Sequence, residues 1–597
     1  MRIRGATALA ALGVFVQLWS AVPGSAAEPP RLELAPCKEP GMPPEARCGT
    51  YEVFENRAAR TGRKIPLKIV VLPATGPGRL PDPFVYFAGG PGEASIPWGL
   101  YVTARKLPSL RQKRDVLLVD LRGTGESGGL VCPELRGGQS LQGFLDDFLP
   151  TDKVRACRDR LKKEVDLSWY TTDAAVDDVE EVRTALGYGP LNLMGSSYGT
   201  RAVLTYLRRH PRSVRTVTLD RVLPPDVRFL LDMPRNTQGA LDSLIAECEG
   251  DPACRGAFPK LRQEMDGVLR RAAQEPVRVE LTDPETGQTQ EIRLTRTAMA
   301  QTLRYMLYDP VDALRVPLEV HLAAQGDWKP LALSARYNGN LGDSAEGLYQ
   351  SVTCAEDVAS IQDEEIAAAA AGTFLGDFRI RRQQAACEGW PLRDLGPDLQ
   401  TPVVSDVPSL LISGERDPAT PPSNGERAAR TLKRARHLVI ADAAHGVDGI
   451  EGVDCVSGLI AAFIETGAAE GLDTSCLSRM RRPDFPLSFG DPEVALAQAD
   501  LERLQGTYAR QPGPTATVEL LGNRLRFGFG RGPRFLLIPT SPTHFRVEGL
   551  PPGHEMDFQL KDGQVIGLVH RQPGRPELVL TRQNEFASQT DPKGIEP

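Results

Sequence analysis

The sequence contains no Cys-x-x-Cys pair, although it has ten cysteines. Zinc sites and thioredoxin-like redox sites commonly use that spacing, so neither is expected here. No basic run occurs and the formal net charge is −7, which argues against nucleic acid as a partner. Beyond the N-terminus, no stretch reaches the roughly 20 apolar residues that a membrane-spanning helix needs. What is left is a globular chain of 597 residues, long enough for two or three domains.

The N-terminus has the layout of a secretory signal. Arg2 and Arg4 form a short positive region, an apolar run covers about residues 6–22, and small residues follow at 25–27. This order predicts removal of residues 1–27, with an uncleaved anchor as the alternative. The mature protein is then expected to be secreted or periplasmic, with no integral membrane segment.

The cysteines agree with export. Their number is even, and an oxidising compartment favours disulfide bonds. The simplest hypothesis pairs each cysteine with its neighbour in the sequence. The predicted pairs are Cys37–Cys48, Cys132–Cys157, Cys248–Cys254, Cys354–Cys387 and Cys455–Cys476.

Hydrophobic patterning divides the chain into parts. Short apolar runs rich in β-branched residues alternate with amphipathic helical segments, which predicts a mostly parallel α/β sheet. A helical insertion separates two such regions, and insertions of this kind commonly cover a site. The predicted parts are a signal (1–27), a first α/β part (28–225), a helical cap (226–395), a second α/β part (396–480), a linker (481–497), a small antiparallel β-barrel or sandwich (498–584) and a flexible tail (585–597).

The pattern Gly-x-Ser-x-Gly occurs twice, at 195–199 and 125–129. The motif presents a nucleophilic serine only where a sharp turn joins a strand to a helix. Ser197 has a predicted strand before it and a predicted helix after it, whereas Ser127 leads into loop residues. The adjacent Ser196 lies outside the glycine frame. We therefore predict Ser197 as the nucleophile.

A catalytic serine needs a base, and the base needs an orienting acid. His445 lies in a loop just after a predicted strand, where it can reach the nucleophile, while His437 begins that strand. Asp417 ends the preceding strand and is the predicted acid. Its near neighbour Glu415 and Asp220, which ends the strand after the nucleophile, are the alternatives.

The oxyanion of a tetrahedral intermediate needs backbone N–H donors. Tyr198 directly follows the nucleophile and should supply one of them. The glycine-rich turn in "YFAGGPGEAS" should supply the other, from Gly90 or, as second choice, Gly89.

These motifs together resemble a known family. The segments "AGGPG", "DLRGTGES", "GSSYGT", "LDRVLPP", "CEGDPACR", "SGERDPATPP" and "AAHG" follow in the order seen in secreted proline iminopeptidases and tripeptidyl aminopeptidases, a branch of the α/β-hydrolases. The resemblance covers roughly residues 35–480. It implies a serine exopeptidase with a helical cap, with Ser197, Asp417 and His445 as its triad. Ala88 stands where proline iminopeptidases often have histidine, and the C-terminal β region resembles lipocalin-like modules.

An aminopeptidase also needs an anion for the ammonium group of its substrate. The cap offers Glu356, Asp357 and Glu388, which are the candidate substrate-binding acids. Peptides are the predicted substrates, and no cofactor or metal is expected. A small-molecule esterase or amide hydrolase with the same triad is the alternative, followed by a non-catalytic binding protein.

Overall fold

The structure is a computed structural model, and it describes residues 32–39, 41–135, 141–145, 148–338, 344–510, 513–530, 532–573 and 576–583. The predicted signal at 1–27 and the predicted tail at 585–597 lie outside these residues. Within the described part of the chain, no helix is long and apolar enough to cross a membrane.

The first α/β part supplies most of a central sheet. Its inner strands are buried over their full length, because helices cover both faces of the sheet. The strands are β1 (Ala35–Pro36), β2 (Arg47–Phe54), β3 (Lys64–Leu72), β4 (Phe84–Phe87), β5 (Val116–Val119), β6 (Leu191–Ser196) and β7 (Val214–Asp220). The helices are α1 (Ser95–Tyr101), α2 (Thr151–Leu161), α3 (Thr172–Ala185) and α4 (Tyr198–Arg209).

A largely helical segment follows β7 and has an apolar core of its own. It also contains one antiparallel hairpin. The helices are α5 (Phe229–Gly250), α6 (Pro252–Ala257), α7 (Leu261–Gln274), α8 (Arg296–Met306), α9 (Pro310–Ala313), α10 (Val316–Ala324), α11 (Lys329–Asn338), α12 (Glu346–Glu356), α13 (Asp363–Ala370) and α14 (Phe378–Cys387), and the hairpin pairs β8 (Val277–Thr282) with β9 (Thr289–Leu294). We call this segment the cap.

The chain then returns to the sheet through β10 (Ser409–Gly414), α15 (Pro422–Ala429), β11 (Ala435–Ile440) and α16 (Asp454–Thr466). Among the described residues the sheet has nine strands in the order β1-β2-β3-β5-β4-β6-β7-β10-β11. Every pairing from β5 to β11 in this order is parallel. The cap is inserted between β7 and β10. Because these two strands are neighbours in the sheet, the insertion does not interrupt the sheet.

The C-terminal region is a separate closed barrel, which settles the alternative between barrel and sandwich. All strand pairs in the barrel are antiparallel, and alternate side chains fill its interior. Its elements are α17 (Gln498–Glu502), β12 (Gly506–Ala509), β13 (Thr515–Leu521), β14 (Arg524–Phe529), β15 (Phe535–Pro539), β16 (His544–Val547), β17 (Glu555–Lys561), β18 (Gln564–Arg571) and β19 (Leu578–Arg582).

All ten cysteines form disulfide bonds, and the pairs are the five predicted from sequence neighbours. Each bond closes a short loop within one part of the chain. One of them, Cys354–Cys387, joins α12 to α14 inside the cap. The prediction of sequential disulfides is confirmed.

Candidate active site

Ser197 lies in the sharp turn between β6 and α4. Its backbone has φ 56° and ψ −122°, a conformation that costs free energy for any residue with a side chain. The turn also demands glycine on both sides. A Cβ on Gly195 would clash with the backbone of Gly199, and a Cβ on Gly199 would clash with the carbonyl oxygen of Phe87. The glycine frame therefore exists for steric reasons, and it presents the Ser197 side chain at the carboxyl end of the sheet.

Three side chains from distant parts of the sequence form a continuous hydrogen-bonded chain. The Ser197 hydroxyl lies 3.1 Å from Nε2 of His445, as a donor to that nitrogen. Nδ1 of His445 lies 2.8 Å and 2.9 Å from the two carboxylate oxygens of Asp417. Asp417 follows β10 and His445 follows β11. Because β6, β10 and β11 run in the same direction, their carboxyl ends lie at one edge of the sheet, together with Ser197.

The Asp417 carboxylate is almost fully buried and well provided with donors. The backbone N–H groups of Ala419 and Thr420 each donate to Oδ1 at 2.8 Å, and the Thr420 hydroxyl donates to Oδ2 at 2.6 Å. Burial by itself raises the pKa of this carboxyl. The charge and hydrogen bond of His445 and the donors of Thr420 outweigh burial and hold the pKa below its usual value. Asp417 is therefore kept ionised beside the imidazole.

The rejected serines have other partners. The hydroxyl of Ser127 accepts a hydrogen bond from the backbone N–H of Lys68 at 2.9 Å and is fully buried. The hydroxyl of Ser196 donates to Asp220 at 3.2 Å. Asp220, the alternative acid, is thus engaged with the serine that lies outside the glycine frame.

The rejected base and the second alternative acid also point elsewhere. His437 lies within β11, and its Nε2 is 3.0 Å from the hydroxyl of Ser413. Glu415 is exposed and accepts from the backbone N–H of Asp442 at 3.3 Å. Neither side chain joins the chain of hydrogen bonds from Ser197.

The predicted oxyanion turn packs directly against the nucleophile. A Cβ on Gly89 would lie 3.4 Å from the Cβ of Ser197, and Gly90 has a φ of 104°, which favours glycine. Tyr198 is the first residue of α4, a position whose N–H has no intrahelical acceptor. The structure therefore places Gly89 of this turn against Ser197 and Tyr198 directly after it, and the assignment of Gly90 and Tyr198 as oxyanion donors stays a prediction.

A buried aspartate braces this turn. Asp120 follows β5 and accepts from the backbone N–H groups of Ile96 at 2.9 Å and Glu126 at 3.2 Å. The Ser95 hydroxyl in turn accepts from the N–H of Ala88 at 3.2 Å. Burial raises the pKa of Asp120 to about 6. These contacts tie "DLRGTGES" to "AGGPGEAS", which explains why both motifs accompany the nucleophile turn.

The three acids predicted to bind substrate have structural partners. Glu356 is buried and accepts from the N–H of Thr172 at 2.7 Å, and Asp357 forms a buried ion pair with Arg201 at 3.1 Å. Glu388 is exposed and pairs with Arg155 at 2.6 Å. The structure does not bring these carboxylates into the hydrogen-bonded chain of Ser197, and their contact with substrate stays a prediction.

Sequence reasoning missed a carboxylate that lies beside the nucleophile. Glu93 follows the glycine-rich turn, and its Oε2 would be 3.3 Å from a Cβ on Gly89, the same position that contacts Ser197. Burial raises the pKa of Glu93, while a backbone hydrogen bond from Gly89 and the charge of His445 lower it by less. The signal was present in the sequence, because an acid one residue beyond an oxyanion turn is placed at the site by the turn itself.

The cap contacts His445 through Tyr308. The ring of Tyr308 meets the His445 imidazole edge-on, with centroids 4.8 Å apart, and its backbone carbonyl accepts from the N–H of Gly446 at 3.1 Å. The catalytic edge is therefore covered by cap residues on the histidine side.

The fold and this site define an α/β-hydrolase of the serine hydrolase class. A family model described as "alpha/beta hydrolase fold" matches residues 82–255, and one described as "TAP-like protein" matches residues 372–476. These matches confirm the resemblance inferred from the motifs, and the first includes Ser197 while the second includes Asp417 and His445.

Several known proteins are similar to this chain. Serine protease Hip1 of Mycobacterium tuberculosis is 25% identical over 481 residues, which cover 74% of this chain and 91% of the relative. Tripeptidyl aminopeptidase of Streptomyces coelicolor is 22% identical over 475 residues, covering 73% and 84%. Among solved structures, proline iminopeptidase of Mycobacterium smegmatis matches at 16% identity with a TM-score of 0.31, covering 70% of this chain and 98% of that one.

Proposed function

We propose that the protein is a secreted or periplasmic serine exopeptidase that hydrolyses peptide bonds near a free N-terminus. The observation that carries the proposal is the hydrogen-bonded chain from Ser197 through His445 to Asp417. Five disulfide bonds support an oxidising compartment. The similarity to a tripeptidyl aminopeptidase supports peptide substrates.

The reaction begins with attack of the Ser197 Oγ on the carbonyl carbon of the scissile peptide bond. His445 Nε2 accepts the hydroxyl proton as the new C–O bond forms, and the carbonyl oxygen becomes an oxyanion. The N–H groups of Gly90 and Tyr198 stabilise this negative charge. His445 then donates the proton to the leaving amine as the C–N bond breaks, which leaves an acyl-enzyme on Ser197.

Water completes the cycle. His445 removes a proton from a water molecule, the resulting hydroxide attacks the acyl carbon, and the proton returns to Ser197 Oγ as the ester bond breaks. Asp417 holds the Nδ1–H tautomer throughout and stabilises the imidazolium formed in each half-reaction. Its lowered pKa keeps it charged at neutral pH.

Recognition of a free N-terminus is assigned to Glu93 in this proposal. A carboxylate that touches the oxyanion turn lies within reach of an ammonium group near the scissile bond. Its burial strengthens the attraction, because an ion pair gains more in a medium of low dielectric. Glu356 and Asp357 have buried partners of their own, so Glu93 is the better candidate.

The test compares 4-nitroanilides of one, two and three residues, with free and with acetylated N-termini. We expect cleavage of the free-amine substrates only, and a loss of at least about a thousandfold in rate for Ser197→Ala. Ser196→Ala is the matched control, because its hydroxyl contacts Asp220 rather than His445. Equal turnover of acetylated substrates, or of simple esters alone, would favour the esterase, and full activity of Ser197→Ala would refute the mechanism.

A further inference from the structure

The cap buries two arginines that each have nitrogen atoms without a hydrogen-bond partner. Arg304 lies on α8 and Arg379 on α14, with 4% and 2% of their surfaces exposed. Nε of Arg304 has no hydrogen-bond partner, and neither Nε nor Nη1 of Arg379 has one. A buried polar group without a partner destabilises the folded protein, and more so when the group is charged.

The surroundings of both guanidinium groups are aromatic. Arg304 lies 5.0 Å from the ring centroid of Tyr305 and 4.8 Å from that of Tyr308, whose hydroxyl accepts its hydrogen bond. Cation–π contacts of this kind are favourable but do not neutralise a charge.

Arg379 also contacts an aromatic ring and a tyrosine hydroxyl. Its guanidinium lies 3.6 Å from the ring centroid of Phe148, and its Nη2 is 3.5 Å from the hydroxyl of Tyr349. Burial, together with the nearby positive charge of Arg304, lowers the pKa of Arg379. The two arginines therefore belong to one cluster.

Neither arginine forms an ion pair with any described residue. Other deeply buried arginines of the chain do, as Arg122 with Asp178 at 2.7 Å and Arg201 with Asp357 at 3.1 Å. An unpaired buried charge is strongly unfavourable, so natural proteins rarely keep one without a ligand. Two such charges in one cluster indicate a site for an anion.

The cluster lies beside the catalytic histidine. Tyr308 joins it to the His445 ring, and Tyr349 lies on α12. At the start of that helix the N–H of Ala345 donates to the carbonyl oxygen of Gly92 at 2.9 Å, beside the oxyanion turn. The arginine cluster is thus connected to His445 through Tyr308 and to the glycine-rich turn through α12.

We propose that Arg304 and Arg379 form a subsite for a substrate carboxylate close to the scissile bond. A planar guanidinium matches a carboxylate with two parallel hydrogen bonds, and a buried pair of this kind is strong and specific. The carboxylate comes either from the C-terminus of a short peptide or from an Asp or Glu side chain. The part of this inference that concerns peptides rests on the proposed exopeptidase function. The preference for a negatively charged substrate does not depend on that function.

Glu93 gives the site a second charge of opposite sign. It lies at the oxyanion turn, whereas the arginines approach from the cap. A short peptide with both termini free carries an ammonium and a carboxylate, so it complements both ends of the site. Blocked or internal segments of a folded protein do not.

The peptide arm of the experiment compares free-amine tetrapeptides that end in a carboxylate or an amide, and that carry Glu or Gln after the cleaved bond. The wild-type enzyme is expected to prefer the carboxylate form by about tenfold or more in kcat/KM. Arg379→Met and Arg304→Gln should remove this preference through KM, while Arg379→Lys should retain part of it. Arg381→Gln is the matched control, because Arg381 lies on the same helix but is exposed and pairs with Asp363. Loss of the terminal preference or of the side-chain preference identifies which carboxylate is bound.

A second arm does not depend on peptidase activity. It compares 4-carboxyphenyl butyrate with 4-carbamoylphenyl butyrate, whose leaving groups differ in a carboxylate on the same side of the scissile bond as in the peptides. If peptides are not cleaved but the anionic ester is preferred and Arg379→Met abolishes that preference, the exopeptidase function fails and the subsite stands. Equal rates for charged and neutral substrates in both arms would overturn the subsite. So would an equal loss for every substrate in Arg379→Met, because that result marks a purely structural role.

Discussion

The catalytic edge of the sheet and the face of the cap above it use buried charge in opposite ways. At the sheet edge Asp417 is paired with His445 and receives three further hydrogen bonds. In the cap, Arg304 and Arg379 are also buried, but they contact aromatic rings and tyrosine hydroxyls and form no ion pair with a described residue. At the sheet edge the buried charge has its partners without substrate. In the cap the buried charges gain an ionic partner only when an anion binds.

The sheet edge and the cap also differ in backbone conformation, because only the sheet edge uses strained residues. Ser197 and Arg221, both at strand ends, have positive φ values of 56° and 64°. Strain of this kind persists only where the surrounding packing over-determines the backbone. The arginines of the cap project from ordinary helices and need no strain. The sheet edge therefore holds Ser197 in a fixed geometry, and the role that we propose for the cap is to supply charge for recognition.

The largest expected effect comes from a substitution at the sheet edge, where the buried charge already has its hydrogen-bond partners. Asp417→Asn should lower kcat by about ten-thousandfold, because an amide favours the wrong imidazole tautomer, as in other triads. Steady-state kinetics on a free-amine 4-nitroanilide measure the loss.

Asp220→Asn is the control for that substitution. Asp220 contacts Ser196 and Arg221 but not His445, so we expect less than about a tenfold change. A severe loss in Asp220→Asn with little effect in Asp417→Asn would reverse the assignment of the acid.

The next effect concerns stability. Arg201→Met removes one partner of the buried ion pair with Asp357 and should lower the free energy of unfolding by about 3–5 kcal/mol. Urea unfolding followed by tryptophan fluorescence measures this change in the sheet and cap, because the barrel contains no tryptophan. A change under about 1 kcal/mol would contradict the idea that this pair is needed to hold the two regions together.

The hydrogen-bonded arrangement of Ser197, His445 and Asp417 was predictable because its signals are local. The glycine frame of Ser197 and the positions of Asp417 and His445 after strands follow from short motifs and from the order of strands. The cap residues were not predictable in this way. Arg304 and Arg379 are far apart in the sequence, and whether a buried charge has a partner depends on which distant helices meet. The protein partners of Glu356 and Asp357 were not predictable for the same reason, since Thr172 and Arg201 reach them from other elements, and their contact with substrate stays a prediction.

A smaller effect should appear in the pH dependence of substrate binding. Burial raises the pKa of Glu93, so this carboxylate takes up a proton at a higher pH than an exposed one. As the pH falls through that value, KM for free-amine substrates should rise in the wild-type enzyme. Glu93→Gln should raise KM by about tenfold at neutral pH and abolish the acid-side rise.

Glu388→Gln is the matched control, because Glu388 is exposed and pairs with Arg155. It should leave the profile of KM against pH unchanged. An acid-side rise in KM that persists in Glu93→Gln would assign the titration to another group and remove Glu93 from amine recognition.

The smallest expected effect is the sharpest test of the comparison between the two regions. It replaces a buried arginine by methionine in each region and predicts different changes in the free energy of unfolding. Arg379→Met removes a buried charge that has no charged partner, so the free energy of unfolding should stay within about 1 kcal/mol of wild type or increase. Arg201→Met should instead destabilise the protein, although both arginines are almost fully buried. Residues kept for binding at the expense of stability behave like Arg379. A loss as large as that of Arg201→Met would mean that Arg379 is a structural residue, and the cap would then be as complete as the sheet edge below it.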